Sequence, residues 1–318
     1  MKLVDNKVEE YIQKPGIDGL FEAARDAACI CYQTDIEKMK KTPQEFVEDV
    51  LLANGHTRPL EFATVYLKIP SLAPQPYHPV QSRTFYVWEK YPDTIWTHRA
   101  SLRGDGYWYI TTNLRVIMQG GYATDKEAFD NCYDRNWLKD VYDFWCEPTE
   151  YHEKRRTFTM WMTRGCTDDY RTHITLSSIC ESTRFCNYSK GKFGGELTFI
   201  KPYWITDQDM EGWYTSDYEY FFPSDDQIKN ETDDEWKRRG DIFEFLSSIR
   251  EEECQYISNA DNGLQAQQLK RLFPLGVKAE LRLCGFDDAW QNFFWRRCDS
   301  HADPECVIVA NKIKELYV

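Results

Sequence analysis

Several short stretches of this chain alternate apolar and polar residues with a period of two. The pattern runs from Glu61 to Ile69 (FATVYLKI after the glutamate) and again through TFTMWMTR at 157–164. Alternate side chains of an extended strand point to opposite faces, so such stretches suit a sheet with one buried face. RTFYV (83–87), YWYITTNLRVIM (107–118) and ELTFIK (196–201) are further strand candidates. Helical spacing appears at IDGLFEAARDAAC (17–29) and PQEFVEDVLLAN (43–54). The second opens with Thr42-Pro43, a capping residue before proline at the first helical position, and stops at Asn54-Gly55. Residues 123–145 carry helix-like spacing after the 107–118 strand, and 165–174 read as a short helix. The C-terminal third is mainly helical, at 230–259, 262–272 and 304–316, with one long apolar and aromatic pattern over 276–298. The acidic stretch SDDQIKNETDDEW (224–236) reads as a solvated loop leading into a helix. This order predicts an α+β fold, an antiparallel sheet with segregated helices. No repeat or linker divides the chain, so one domain is expected over 1–318.

Composition removes several function classes. With 52 acidic against 39 basic residues the net charge is −13, so no nucleic-acid partner is expected. The cysteines number 11, with no CxxC pair, which reads as reduced thiols in a cytoplasm and not as a zinc ribbon. His56, His173 and His301 are far apart and form no HExxH pair, so no metal site is expected. There is no G-x-S-x-G, no G-x-G-x-x-G and no P-loop. The opening MKLVDNKVEEYIQ lacks a signal-peptide core, and no apolar run of about 18 residues occurs. A soluble, cytoplasmic protein with no membrane partner is expected.

Three segments gather groups that carry chemistry. CESTRFCNYSK (180–190) places Ser182, Thr183 and Arg184 together. On an extended segment, Ser182 and Arg184 share a face, and a guanidinium beside a hydroxyl clamps phosphate or carboxylate. An ordinary polar turn has the same composition. GHTRPLEF (55–62) combines His56, Arg58 and Glu61 just before a strand, where a polar loop around Pro59 is the plainer reading. RRCDSHADP (296–304) holds Arg296, Arg297, Asp299, Ser300 and His301. A helix C-terminus attracts basic residues in any case.

Taken together, these segments resemble the flavin-dependent thymidylate synthase family. Its signature is Arg-His-Arg, a seven-residue spacer, then Ser and a further Arg two positions on. With Ser182 as the motif serine, Arg184 falls on the second arginine site and His173 on the central histidine, without gaps. GHTRPLEFATVYLKI resembles the family's histidine loop, glutamate and first long strand. LKRLFPLGVKAEL resembles the segment with an arginine before Leu-Pro, and WQNFFWRRCDSHADP the late Arg-x-Asp-Ser-His element. There are departures. Thr172 and Ile174 replace both signature arginines, with Arg171 one position early. Cys180 stands where Gln or Glu is usual, Arg58 where a small hydroxyl residue is usual, and Lys270 where the arginine before Leu-Pro is usual. That pair here reads Phe273-Pro274, and Phe286 and Asp288 also depart from the pattern.

The resemblance implies an α+β homotetramer with active sites shared between subunits. It implies FAD as cofactor, with NADPH and methylenetetrahydrofolate as co-substrates and dUMP, or a related pyrimidine nucleotide, as the partner. By matched position, Glu181, Ser182, Arg184, Lys270 and Arg297 hold the nucleotide. His56, Arg58, Glu61, His173, Asn292 and His301 line the flavin site, and Arg171, His173 and Arg297 carry the chemistry. The lost arginines leave two alternatives open: altered C5 chemistry such as hydroxymethylation, or a non-catalytic nucleotide- or flavin-binding homologue.

Overall fold

A computed structural model describes residues 1–70, 98–119, 138–189, 191–210, 214–215, 221–222, 224–229 and 231–317. Four strands form an antiparallel sheet in the order β2 (Lys7–Glu10), β6 (Arg155–Thr163), β11 (Lys278–Phe286), β7 (Ser177–Cys180). β6 and β11 pair along nine residues, from Thr163 opposite Lys278 to Arg155 opposite Phe286. The alternation in β6 does what period two requires. Phe158, Met160 and Met162 point to one face, where Leu281 and Leu283 of β11 join them. Three helices cover that face: α5 (Arg164–Arg171), α7 (Asp287–Arg297) and α8 (Pro304–Tyr317). The opposite face meets α1 (Gly16–Tyr32), whose Ala27 and Ile30 pack with Phe62, Ile179 and Cys284.

A second antiparallel sheet has the order β3 (Thr64–Pro70), β5 (Tyr107–Asn113), β4 (Arg99–Leu102), and β9 (Tyr214–Thr215) pairs antiparallel with β10 (Phe221–Phe222). The second sheet shares a core with α1, α2 (Pro43–Phe46) and two short helices, α3 (Leu114–Gln119) and α4 (Lys139–Phe144). A third core lies under α6 (Asp233–Asp261) and the parallel pair β1 (Lys2–Val4) and β8 (Thr198–Ile200). The α+β architecture, with antiparallel sheets and segregated helices, is as expected from the sequence.

The details differ where local pattern and tertiary contact compete. The strand expected from Glu61 starts instead at Thr64, because residues Arg58–Phe62 form a 3₁₀ turn. Leu60, Glu61 and Phe62 are all buried there, which a half-buried strand does not allow. The 107–118 stretch is strand only to Asn113, whose side chain accepts the Val116 N–H at 3.1 Å and starts α3. The helix expected over 262–272 is broken at Gly263 (φ 97°), leaving a short turn at Ala266–Leu269 and a 3₁₀ turn at Lys270–Leu272. The continuous pattern over 276–298 divides into β11 and α7. The 224–236 stretch holds a short helix at Asp225–Lys229 and the N-terminal cap of α6, where the sequence suggested a loop. The strand expected at 83–87 and most of the helix expected at 123–145 lie outside the described residues.

Candidate active site

The segment after β7 is a tight turn, not an extended strand. The Ser182 carbonyl accepts the N–H groups of Phe185 (3.1 Å) and Cys186 (3.0 Å). Its hydroxyl accepts the Arg184 N–H at 3.4 Å. Ser182 and Arg184 are therefore brought together by turn geometry and do not share a strand face. The turn is anchored to the end of α1, where the Ser182 N–H reaches the Cys31 carbonyl at 3.0 Å. Tyr32 packs on Phe185 with ring centroids 4.9 Å apart, and its hydroxyl lies 3.5 Å from His56 Nδ1. Arg58 reaches the same strand, donating from Nε to the Ser178 carbonyl at 3.2 Å. Two distant sequence segments thus converge on the C-terminal end of α1.

His56, Arg58, Arg171 and Arg184 are exposed around this junction. Arg184 lies over the Phe185 ring, 5.4 Å from its centroid, and forms no ion pair among the described residues. Arg171 pairs with the exposed Asp168 at 3.2 Å. Arg58 also donates to Glu61 at 3.1 Å, and the buried Glu61 carboxylate takes a second guanidinium from Arg115. Sequence reasoning did not single out Arg115, Tyr32 or Phe185. Nothing in their local sequence marks them, since each matters through a partner far along the chain.

Glu181 behaves differently from its neighbours. It is 1% exposed. It accepts from the Tyr188 hydroxyl, from Lys278 Nζ at 3.4 Å and from the Glu280 N–H at 3.2 Å. Burial and the adjacent carboxylate raise the Tyr188 phenol far above its ordinary value, so it stays a donor. Arg164 donates to the Glu181 carbonyl at 2.9 Å and approaches the Cys180 sulfur at 3.4 Å. Burial raises the Cys180 thiol as well.

A second group gathers at the C-terminus of α5. Arg297, on the last turn of α7, donates from Nε to His173 Nε2 at 2.8 Å. Its Nη2 donates to the Asp169 carbonyl at 2.6 Å and to the Thr172 hydroxyl at 3.0 Å. The arginine therefore caps α5 and fixes the histidine tautomer, with Nε2 as acceptor. The His173 ring is 6% exposed and packs on Phe293, centroids 5.0 Å apart. Burial first, then the Arg297 and Arg296 charges, push it down to about 4, so it is neutral at physiological pH. Ile174, at the second lost arginine position, is 89% exposed. Asn292 is half-buried on α7. His301 is exposed, with Nδ1 2.8 Å from Asp299 Oδ1. Lys270 is exposed on its 3₁₀ turn and has no ion pair among the described residues.

The sequence profile of the thymidylate synthase complementing protein family matches residues 151–318. That stretch is more than half of the 318 residues, and the chain belongs to this family. No curated protein sequence matches the chain. Among solved structures, the UMP/dUMP methylase PolB from Streptomyces cacaoi bound with 5-Br dUMP is similar over 51% of this chain and 65% of that chain, at 20% identity and a TM-score of 0.35. PolB bound with 5-Br UMP is similar over 51% and 67%, at 18% identity and a TM-score of 0.35. The first alignment thus spans less than two thirds of the PolB chain. Among the described residues, no helix is long and apolar enough to cross a membrane.

Proposed function

We propose that this chain catalyses the reductive methylation of dUMP to dTMP, with FAD as cofactor, methylenetetrahydrofolate as one-carbon donor and NADPH as reductant. Family membership supports this reading. The observation that carries it is the convergence of the Ser182–Phe185 turn with the His56–Glu61 turn at the end of α1, across 120 residues of sequence at the Arg58–Ser178 contact. Both proposed ligands bring phosphates. Exposed guanidinium, imidazole and hydroxyl groups at this junction are the donors that phosphates need, so the residue set fits them. When bound, the flavin supplies the hydride that completes the methyl group.

In this reading Ser182, Arg184 and Lys270 hold the nucleotide, the first two at its phosphate. Arg171 substitutes for the missing signature arginine and faces the carbonyl side of the uracil, where negative charge builds as C5 becomes nucleophilic. A preorganised cation there contributes on the order of 3 kcal/mol to the barrier, about a hundredfold in rate. Glu61 holds Arg58 and Arg115 in place. His173, Asn292 and His301 belong to the flavin side, Arg297 reaches toward the nucleotide, and the active sites are shared between the subunits of a homotetramer. We read residues 1–318 as one domain, because β2 pairs with β6 and α1 packs on the sheet that carries the site.

A second reading has a specific basis. Ile174 brings no charge, and the Thr172 hydroxyl is engaged with the Asp169 carbonyl at 2.7 Å and with Arg297. The two lost arginine positions thus offer nothing to a pyrimidine, which favours altered C5 chemistry or binding without catalysis. The deciding experiment is the visible spectrum of the purified chain, with NADPH then added anaerobically. A flavin band that bleaches, followed by dTMP formation from dUMP and methylenetetrahydrofolate, is expected. A bleaching flavin with a different pyrimidine product selects the altered chemistry. A chain that cannot be loaded with FAD overturns the flavin reading.

A further inference from the structure

The side of α5 that faces α8 carries a group that the proposed methylation chemistry does not use. Cys166 and Asp169 are three residues apart on α5, and Asp303 and Cys306 are three apart at the start of α8. Ligand atoms of Cys166, Asp303 and Cys306 all lie within 4.8 Å of one another. Cys166 Sγ is 3.4 Å from Asp303 Oδ1, and Cys306 Sγ is 3.9 Å from Asp169 Oδ2. A tetrahedral zinc ion with its usual bond lengths holds sulfur and oxygen ligands about 3.5 Å apart. The two thiols are buried and the two carboxylates are exposed, so the group opens to solvent on its oxygen side.

We propose that Cys166, Cys306 and Asp303 form a binding site for a zinc-class divalent cation, with Asp169 as the nearest group for the fourth position. Two sulfurs and one or two carboxylate oxygens suit zinc and not magnesium or calcium, which select all-oxygen shells. On binding, both thiols lose their protons to solvent and become thiolates, so uptake is pH-dependent. Without a cation the same group is a hydrogen-bonded cluster, in which Cys306 and burial keep the Cys166 thiol well above its ordinary range. Asp303 Oδ1 also accepts the N–H groups of Glu305 (2.9 Å) and Cys306 (3.2 Å), which aims the carboxylate at the cluster. The cation would staple α8 to α5, directly behind the carbonyl that receives Arg297. The site was illegible in the sequence because its halves are 137 residues apart and each has one sulfur.

The test uses the full chain, reduced and stripped with a chelator, then titrated with zinc alone and separately with cobalt(II) alone. One cation per chain is expected, with a thiolate-to-cobalt charge-transfer band. Cys166→Ser and Cys306→Ser each weaken zinc binding at least tenfold, and the exposed Cys254→Ser leaves it unchanged. Asp169→Asn, which keeps the side chain's size and a carbonyl oxygen, weakens binding by a smaller factor. The absence of a thiolate band in the unmutated protein overturns the proposal whatever the variants do. Uptake that survives both cysteine substitutions is adventitious and overturns it too. So does a Cys166–Cys306 disulfide found by mass spectrometry in a chain that takes up no metal once reduced.

Discussion

The junction at the end of α1 and the knot at the end of α5 both consist of side chains matched to the same family pattern, yet they treat their polar groups in opposite ways. At the junction, His56, Arg171 and Arg184 are exposed and Arg184 is held only loosely, over an aromatic ring. At the knot, Arg297 spends its donors on His173, Thr172 and Asp169. Glu181, adjacent to the junction turn, belongs with the knot in kind, since its carboxylate is sealed under Tyr188 and Lys278. Matched position therefore does not imply equal availability. A side chain already satisfied inside its own subunit must break hydrogen bonds before it can serve a ligand, at a net cost of about 1.5–3 kcal/mol for each bond to a charged group.

The strongest test of this contrast is Glu181→Ala. It strands the Lys278 ammonium beside a buried phenol and should cost about 3 kcal/mol in denaturant unfolding. A normal unfolding curve with lost dUMP affinity would place Glu181 with the outward group. His173 should contribute a similar amount through pH. Its folded value of about 4 lies below the ordinary 6.5, so the unfolded chain binds the proton first. That stabilisation is complete above about pH 6.5 and disappears as pH falls to 4, by about 3 kcal/mol in total. His98 and His152 are also lowered by burial, so the measurement is the difference between the unmutated protein and His173→Gln. An equal acid loss in the two proteins would break the assignment. Arg297→Ala removes the α5 cap and should cost about 2 kcal/mol, since its bonds are partly solvent-exposed. Arg184→Ala should change stability by less than about 0.5 kcal/mol. It should nevertheless weaken dUMP binding at least tenfold, and unchanged affinity in that variant would remove Arg184 from the proposed phosphate site.

Legibility followed locality. Thr42 and Glu45 form a reciprocal cap, so the start of α2 could be read from four residues. The β6 alternation was readable because Phe158, Met160 and Met162 on one face alternate with Thr157, Thr159 and Thr163 on the other, even though most of the strand is buried. β11 was not, since residues 281–286 are buried on both faces and period two disappears. The sequence put Ser182 and Arg184 on one face of an extended segment, whereas they lie in a turn whose position depends on the Cys31 carbonyl of another element. The burial of Glu61 likewise depends on Arg115, 54 residues away. Gly285 is a further instance: a side-chain carbon there would lie 2.4 Å from Leu176 Cδ2, a constraint that only the packed structure reveals.

The nine-residue β6–β11 ladder has one more consequence. Helix α5 departs from one end of it, after Thr163, and α7 departs from the other, after Phe286. The ladder is about 31 Å long, while eight and eleven helical residues rise about 12 and 16 Å. The C-terminal ends of the two helices pack side by side, with Tyr170 and His173 against Phe293 and Arg297 donating to His173. The arrangement works as a ruler. One residue inserted into either helix advances its tip by about 1.5 Å and turns it by about 100°, so length changes in this half of the chain should be tolerated in loops and not between Arg164 and Arg171 or between Asp287 and Arg297.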